Sequence, residues 1–124
     1  MISRILWIPT LTTLLLLTGC AAPGLYQWGG YDQSLYAGYK DVTKMEALRI
    51  KLEAHVGEME KSNAKVAPGL YAELGTLYLK AGATQKAIDF YTKERNSWPE
   101  SIVLMTSLIQ NLERRQSASS GTKQ

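Results

Sequence analysis

From Met45 to Met59 the apolar residues Met45, Leu48, Leu52, Val56 and Met59 recur at steps of three, four, four and three, with charged side chains at most positions between them. That spacing puts all five on one narrow face of an α-helix and on no single face of a strand. Leu35, Tyr36 and Tyr39 fit a short helix from Gln33 to Lys40, and the striped segment itself runs from Thr43 to Ser62. Leu70, Leu74, Leu77 and Tyr78 predict a helix from Pro68 to Ala81, with Pro68 at a first helical position and Gly82 at a left-handed end. Thr84 is expected to cap the next helix, whose inward residues are Ala87, Ile88, Phe90 and Tyr91 and which stops near Trp98-Pro99. Ile102, Met105, Leu108, Ile109 and Leu112 predict a last helix from Glu100 to Arg115. No stretch alternates β-branched and polar residues, so the fold is expected to be all-α, with about five helices. Gly57 in the second helix marks either a close helix approach or a weak turn.

The first nineteen residues differ from the rest. They contain no acidic residue, carry Arg4 near the start, and are apolar from Ile5 to Leu17 apart from Pro9 and three threonines. A spanning helix needs about 20 apolar residues, so this segment reads as a cleaved signal peptide, residues 1–19. It ends in Leu17-Thr18-Gly19-Cys20, which resembles a bacterial lipobox. The resemblance implies that Cys20 receives a diacylglyceryl group and becomes the first residue of the mature chain. Cys20 is the only cysteine, so an internal disulfide is excluded. By resemblance to bacterial lipoproteins, Ala21-Ala22 in place of an Asp after the cysteine implies the outer membrane, periplasmic face. The mature chain then divides into a lipidated aromatic and glycine-rich segment (residues 20–32), a helical domain (33–115) and a polar tail expected to be disordered (116–124).

The window from Pro68 to Ser101 carries Tyr71, Leu74-Gly75, Tyr78, Gly82, Ala87, Tyr91 and Pro99. Their spacing resembles a tetratricopeptide repeat at each of these positions. Gly75 and Ala87 are small where the two helices of such a pair cross, and the aromatics fill the space beside them. Glu94 departs from the pattern, which prefers Ala there, so looser packing onto the next helix is expected at that point. A degenerate unit with Leu35-Tyr36, Tyr39 and Ala47 precedes this repeat, and the last helix caps it. The repeat's usual ligand-facing positions imply a partner surface at Ala72, Thr76, Leu79 and Lys80, without the Lys and Asn pattern that clamps a terminal carboxylate. Across residues 20–124 the chain also resembles a family of small, uncharacterised lipoproteins of Gram-negative bacteria. The resemblance rests on Tyr26-Gln27-Trp28-Gly29-Gly30-Tyr31, Leu35-Tyr36 and Ala67-Pro68-Gly69-Leu70-Tyr71-Ala72-Glu73-Leu74-Gly75. Members are often encoded beside two other lipoproteins, one similar to the curli secretion channel subunit, which implies an envelope protein of that kind as partner.

The formal net charge is +3, of which Arg4 in the leader carries one, and Lys and Arg are spread among Glu and Asp. No basic stripe exists to follow a phosphate backbone, so nucleic acid is not expected as a partner. His55, the only histidine, has no thiolate partners to complete a zinc site, and it reads as a solvated helix-face residue. No nucleophile elbow or phosphate-cradling loop is present. Glu46, Glu53 and Glu60 are spaced along one helix face and read as its wet side rather than as a glycan-cleaving pair. No catalytic residue, metal or cofactor is therefore expected. Tyr26, Trp28 and Tyr31 either bind a partner or pack down on the helices. The expected function is a membrane-anchored adaptor or assembly factor, the alternatives being a structural spacer and a small cell-wall-acting enzyme. Oligomeric state is left open, since the stripe from Met45 to Met59 also suits helix pairing between chains.

Overall fold

A computed structural model describes residues 24–121, apart from the side chains of Tyr39 and Val42. The expected signal peptide 1–19, the expected lipidation site Cys20 and residues 122–124 of the expected tail lie outside the described residues. Among the described residues the fold is all-α, with five helices and no strand: α1 (Tyr31–Lys40), α2 (Met45–Lys61), α3 (Leu70–Lys80), α4 (Thr84–Ser97) and α5 (Ile102–Gly121). Short 3-10 turns at Val42–Lys44 and Pro99–Ser101 lead into α2 and α5. Each helix packs chiefly on the next one in the chain.

The helix breaks follow from local backbone chemistry. α2 ends through Asn63, which takes a positive φ of 54° and lets the Ala64 N–H reach back to the Met59 carbonyl at 2.9 Å. Gly82, at φ 80°, closes α3 as expected, with the Ala83 N–H donating to the Tyr78 carbonyl. The start of α3 differs from expectation: Pro68 stands in a turn before the helix and Gly69, at φ 87°, is the residue that caps it. Thr84 makes no capping bond, because it is already the first helical residue and Ala83 holds the cap position.

α5 runs to Gly121, past Arg115 and into the stretch expected to be a disordered tail. Its serines are accommodated there without loss of hydrogen bonding. The hydroxyls of Ser117, Ser119 and Ser120 donate to the carbonyls of Glu113, Gln116 and Gln116 at 2.8–3.0 Å, so each is satisfied inside the helix. Ser and Gln also cost a helix only about 0.5 kcal/mol each relative to Ala.

Two apolar clusters hold the helices together. Leu48, Leu52, Val56 and Met59 of α2 meet Leu70, Tyr71, Leu74, Leu77 and Tyr78 of α3, with Val66 and Ala67 of the connection between them. Ala87, Ile88 and Tyr91 of α4 meet Met105, Ile109 and Leu112 of α5. α3 and α4 are joined by three residues, so α4 returns along α3. At their crossing a Cβ on Gly75 would stand 2.8 Å from the Tyr91 ring and 3.1 Å from the Ala87 carbonyl oxygen, so only glycine permits this approach. Gly38 plays a similar part between α1 and α2, where Met45 Sδ and Leu48 Cδ2 stand 3.1 and 3.3 Å from a Cβ position. Gly57 faces open space, which leaves the weak-turn reading.

Candidate functional site

α3 packs between α2 and α4. Its polar side carries Tyr71 and Tyr78, whose rings stack on Phe90 of α4 with centroids 6.5 and 5.5 Å apart. Cations cover this aromatic column: Arg49 and Lys86 each lie 4.7 Å from the Tyr78 ring centre, and Lys93 lies 5.6 Å from that of Tyr71. The α2 carboxylates complete the layer. Glu46 and Glu53 clamp Arg49, Glu53 also accepts from the Tyr78 hydroxyl, and Glu60 accepts from Tyr71 at 3.0 Å and Lys93 at 2.7 Å. The spaced acidic residues of α2 are thus not simply a wet face. Glu53 joins α2 to α3, and Glu60 joins it to α3 and α4.

Lys93, and to a smaller degree Tyr71, hold the Glu60 carboxyl below its ordinary range. Burial, and then the Glu60 carboxylate beside it, push the Tyr71 phenol well above its own. Above about pH 10 the unfolded chain releases the Tyr71 proton while the folded chain keeps it, so stability falls as pH rises from there. The expected slope from this one group is up to about 1.4 kcal/mol per pH unit. Urea unfolding between pH 9 and about 11 should record it, and Tyr71→Phe should flatten the curve.

The start of α3 and the end of α4 are tied by Glu94, 1% exposed. Its Oε1 accepts from the Gly69 N–H at 2.8 Å and the Ser101 hydroxyl at 3.1 Å, joining the start of α3, the end of α4 and the turn into α5. The expectation of looser packing at Glu94 is corrected here: the longer side chain reaches the capping position of α3, which an alanine could not. Glu94 Oε2 and the buried indole Nε1 of Trp98 have no hydrogen-bond partner among the described residues.

Of the residues expected to form a partner surface, Ala72, Thr76 and Leu79 lie together under partial cover and Lys80 lies open. Ala72 and Leu79 are half-buried against the α4/α5 cluster, and the Thr76 hydroxyl is bonded to the Ala72 carbonyl and Tyr91 hydroxyl, both at 3.0 Å. Lys80 alone of the four is exposed. It borders a cleft of about 480 Å³ lined also by Gly38, Met45, Glu46, Arg49, Leu77 and Ala81. Leu79 borders a different groove of about 210 Å³, between the end of α3 and the C-terminal half of α5.

The aromatic segment before α1 lines neither of these clefts. Tyr26 sets its ring edge-on to Trp98 at 5.5 Å, and Lys65 stands 3.8 Å above the same indole. Tyr31 packs against the α2/α3 core. Trp28 remains 43% exposed. His55 is half-buried and its Nε2 donates to the Gln27 carbonyl at 2.9 Å, so it fastens this segment to α2 rather than standing solvated. Sequence reasoning missed the partners of Glu94 and His55, which are separated from them by 25 and 28 residues. The departure at Glu94 from the repeat pattern was the one signal available.

Among the described residues no cluster of three His, Cys, Asp or Glu side chains is placed to hold a metal ion, and no helix is long and apolar enough to cross a membrane. Residues 25–108 match the family described as Domain of unknown function (DUF4810). No curated protein and no solved structure matches the chain.

Proposed function

We propose that this chain, which belongs to the DUF4810 family, is a lipid-anchored adaptor of the bacterial envelope whose helical stack binds another envelope protein. In this reading Cys20 carries the lipid, the protein sits on the periplasmic face of the outer membrane, and α3 with α4 forms a tetratricopeptide-like pair. The fit of Gly75 against Tyr91 and Ala87 supports the last point, since the repeat pattern calls for small residues at that crossing.

The observation that carries the adaptor reading is the open end of the stack. α3 packs between α2 and α4, whereas α5 packs chiefly on α4. Leu70 at the start of α3 is 1% exposed, while Leu104, one repeat of about 34 residues later, is 60% exposed beside Val103 at 79% and Ile102 at 47%. Stacked helical repeats normally end in a helix with a polar outer side. Three adjacent apolar residues at this end suit the docking of a further helix from a partner, and a lipoprotein similar to the curli secretion channel subunit is the proposed class.

Photo-cross-linking in the cell's own membranes tests this. A photoreactive amino acid at position 104 of the acylated protein should give an adduct with one envelope protein, and the same group at exposed position 58 should give none. Adducts from neither position, or equally from both, would sink the adaptor reading and favour a spacer. Metabolic labelling with palmitate should mark the wild-type chain and leave Cys20→Ala unlabelled.

A further inference from the structure

The first described residues are fastened to the body of the domain rather than trailing from it. Tyr26 packs on Trp98, the Gln27 carbonyl is held by His55, and the Tyr31 N–H donates to the Trp28 carbonyl at 2.9 Å. The Gly30 carbonyl accepts from the Ser34 hydroxyl at 3.1 Å, and that hydroxyl accepts in turn from Lys51 Nζ at 2.7 Å. A Cβ on Gly29, at φ 58°, would fall 2.5 Å from His55 Nδ1, so the backbone of the segment lies directly against the imidazole. Two large side chains of this fastened segment nevertheless point away from the core: Leu25 is 85% exposed and Trp28 43%.

Chain length then limits where this edge can be. Cys20 precedes Leu25 by five residues, and at no more than 3.6 Å per residue no conformation can separate their Cα atoms by more than about 18 Å. The polar headgroup zone of one leaflet is itself roughly 5–8 Å deep. An acylated Cys20 therefore keeps Leu25 within about 18 Å and Trp28 within about 29 Å of the anchor, so this edge is the part of the described domain tethered nearest to the bilayer. Trp is the residue most at home there, with an apolar ring and a polar N–H, and an exposed leucine beside it gains by burial in the acyl boundary. Lys51, bonded to Ser34, and Lys65, on the Trp98 indole, are the cations nearest the segment and suit lipid phosphates by charge, while Asp32 is the acidic residue in the first turn of α1.

We infer that the edge formed by Leu25 and Trp28 lies in the interfacial layer of the phospholipid bilayer to which Cys20 is anchored, so that the domain rests on the membrane by a defined face. This rests on the anchor proposed above and adds an orientation to it. No residue of α5 takes part in these contacts, although Trp98, on which Tyr26 packs, stands at the turn that leads into it.

The test uses the single cysteine. The chain from Cys20 to Gln124 is coupled through its Cys20 thiol to phosphatidylcholine vesicles bearing a maleimide lipid, and its tryptophan fluorescence is compared with that of the Trp28→Phe variant coupled in the same way. Both chains retain Trp98, so the difference belongs to Trp28. The expected result is at least a twofold quenching of the Trp28 component by brominated phosphatidylcholine, with a matching loss of quenching by aqueous iodide. Leu25→Asp should reverse much of both changes. A Trp28 component as open to iodide on vesicles as in solution, and insensitive to bromine, would overturn the inference. Because the coupling is chemical, this outcome is independent of whether the cell acylates Cys20, which the palmitate labelling reads separately.

Discussion

Replacing Gly75 by Val should lower the stability of the chain from Cys20 to Gln124 by about 3 kcal/mol, read as a fall in the urea midpoint at unchanged slope. The Cβ alone would stand 2.8 Å from Tyr91 Cε1 and 3.1 Å from a backbone oxygen that cannot turn aside. Tyr91 is 2% exposed and its hydroxyl is bonded to Thr76, so the ring can yield only by giving up packing on both sides. Gly75→Ala should be milder, since about 1 kcal/mol of improved helix propensity offsets part of the clash. Gly57 provides the internal comparison. It also lies within a helix, but a Cβ there meets nothing within 4 Å, so Gly57→Ala should raise stability by about 0.5–1 kcal/mol. Should Gly75→Val unfold at the wild-type midpoint, α3 and α4 would not cross where the structure places them.

The second large effect is expected at Glu94. Glu94→Ala removes a side chain that is 1% exposed, opens a void between α3, α4 and the turn into α5, and takes the acceptor from the Gly69 N–H and Ser101 hydroxyl. Loss of packing and of two hydrogen bonds together should cost about 3 kcal/mol. Glu94→Gln keeps the shape and a carbonyl oxygen for both donors, so its cost should stay within about 1 kcal/mol. The pair of variants separates the acceptor from the volume it fills. If Ala proves as mild as Gln in urea unfolding, Glu94 does not hold the start of α3 to the end of α4.

Much of the helical framework was legible in the residues. The stripe from Met45 to Met59 gives α2 within two residues at its start and one at its end. Gly82 adopts the left-handed conformation, and the break at Trp98-Pro99 separates α4 from α5. Less was legible at helix starts. Pro68 and Thr84 both suit a helix N-terminus by type, yet Gly69 and Ala83 hold the cap positions, because residues one place apart compete for the same role and tertiary contacts such as Glu94 on the Gly69 N–H decide between them. The polar composition beyond Arg115 suggested disorder, whereas local hydroxyl-to-carbonyl bonds accommodate those serines in α5.

The expected partner surface was legible only as positions along α3. Helical spacing placed Ala72, Thr76, Leu79 and Lys80 near one another, but it could not say that α4 and α5 would half-cover the first three and leave Lys80 open. The same holds for the aromatic segment, where packing and exposure were both open. Tyr26 and Tyr31 pack, while Trp28 does so only in part.

By itself the sequence determined the helical class, the approximate extent of each helix and the need for small residues where two of them cross. These depend on spacing within one turn or two of chain and on backbone angles, which are local properties. Only the tertiary structure decided that Glu94 caps α3, that His55 pins the aromatic segment, that Leu25 and Trp28 face outward, and that α5 leaves Leu104 uncovered. Each of those outcomes depends on which distant element lies alongside, and whether a side chain is buried is set by its neighbour's surface rather than by its own chemistry.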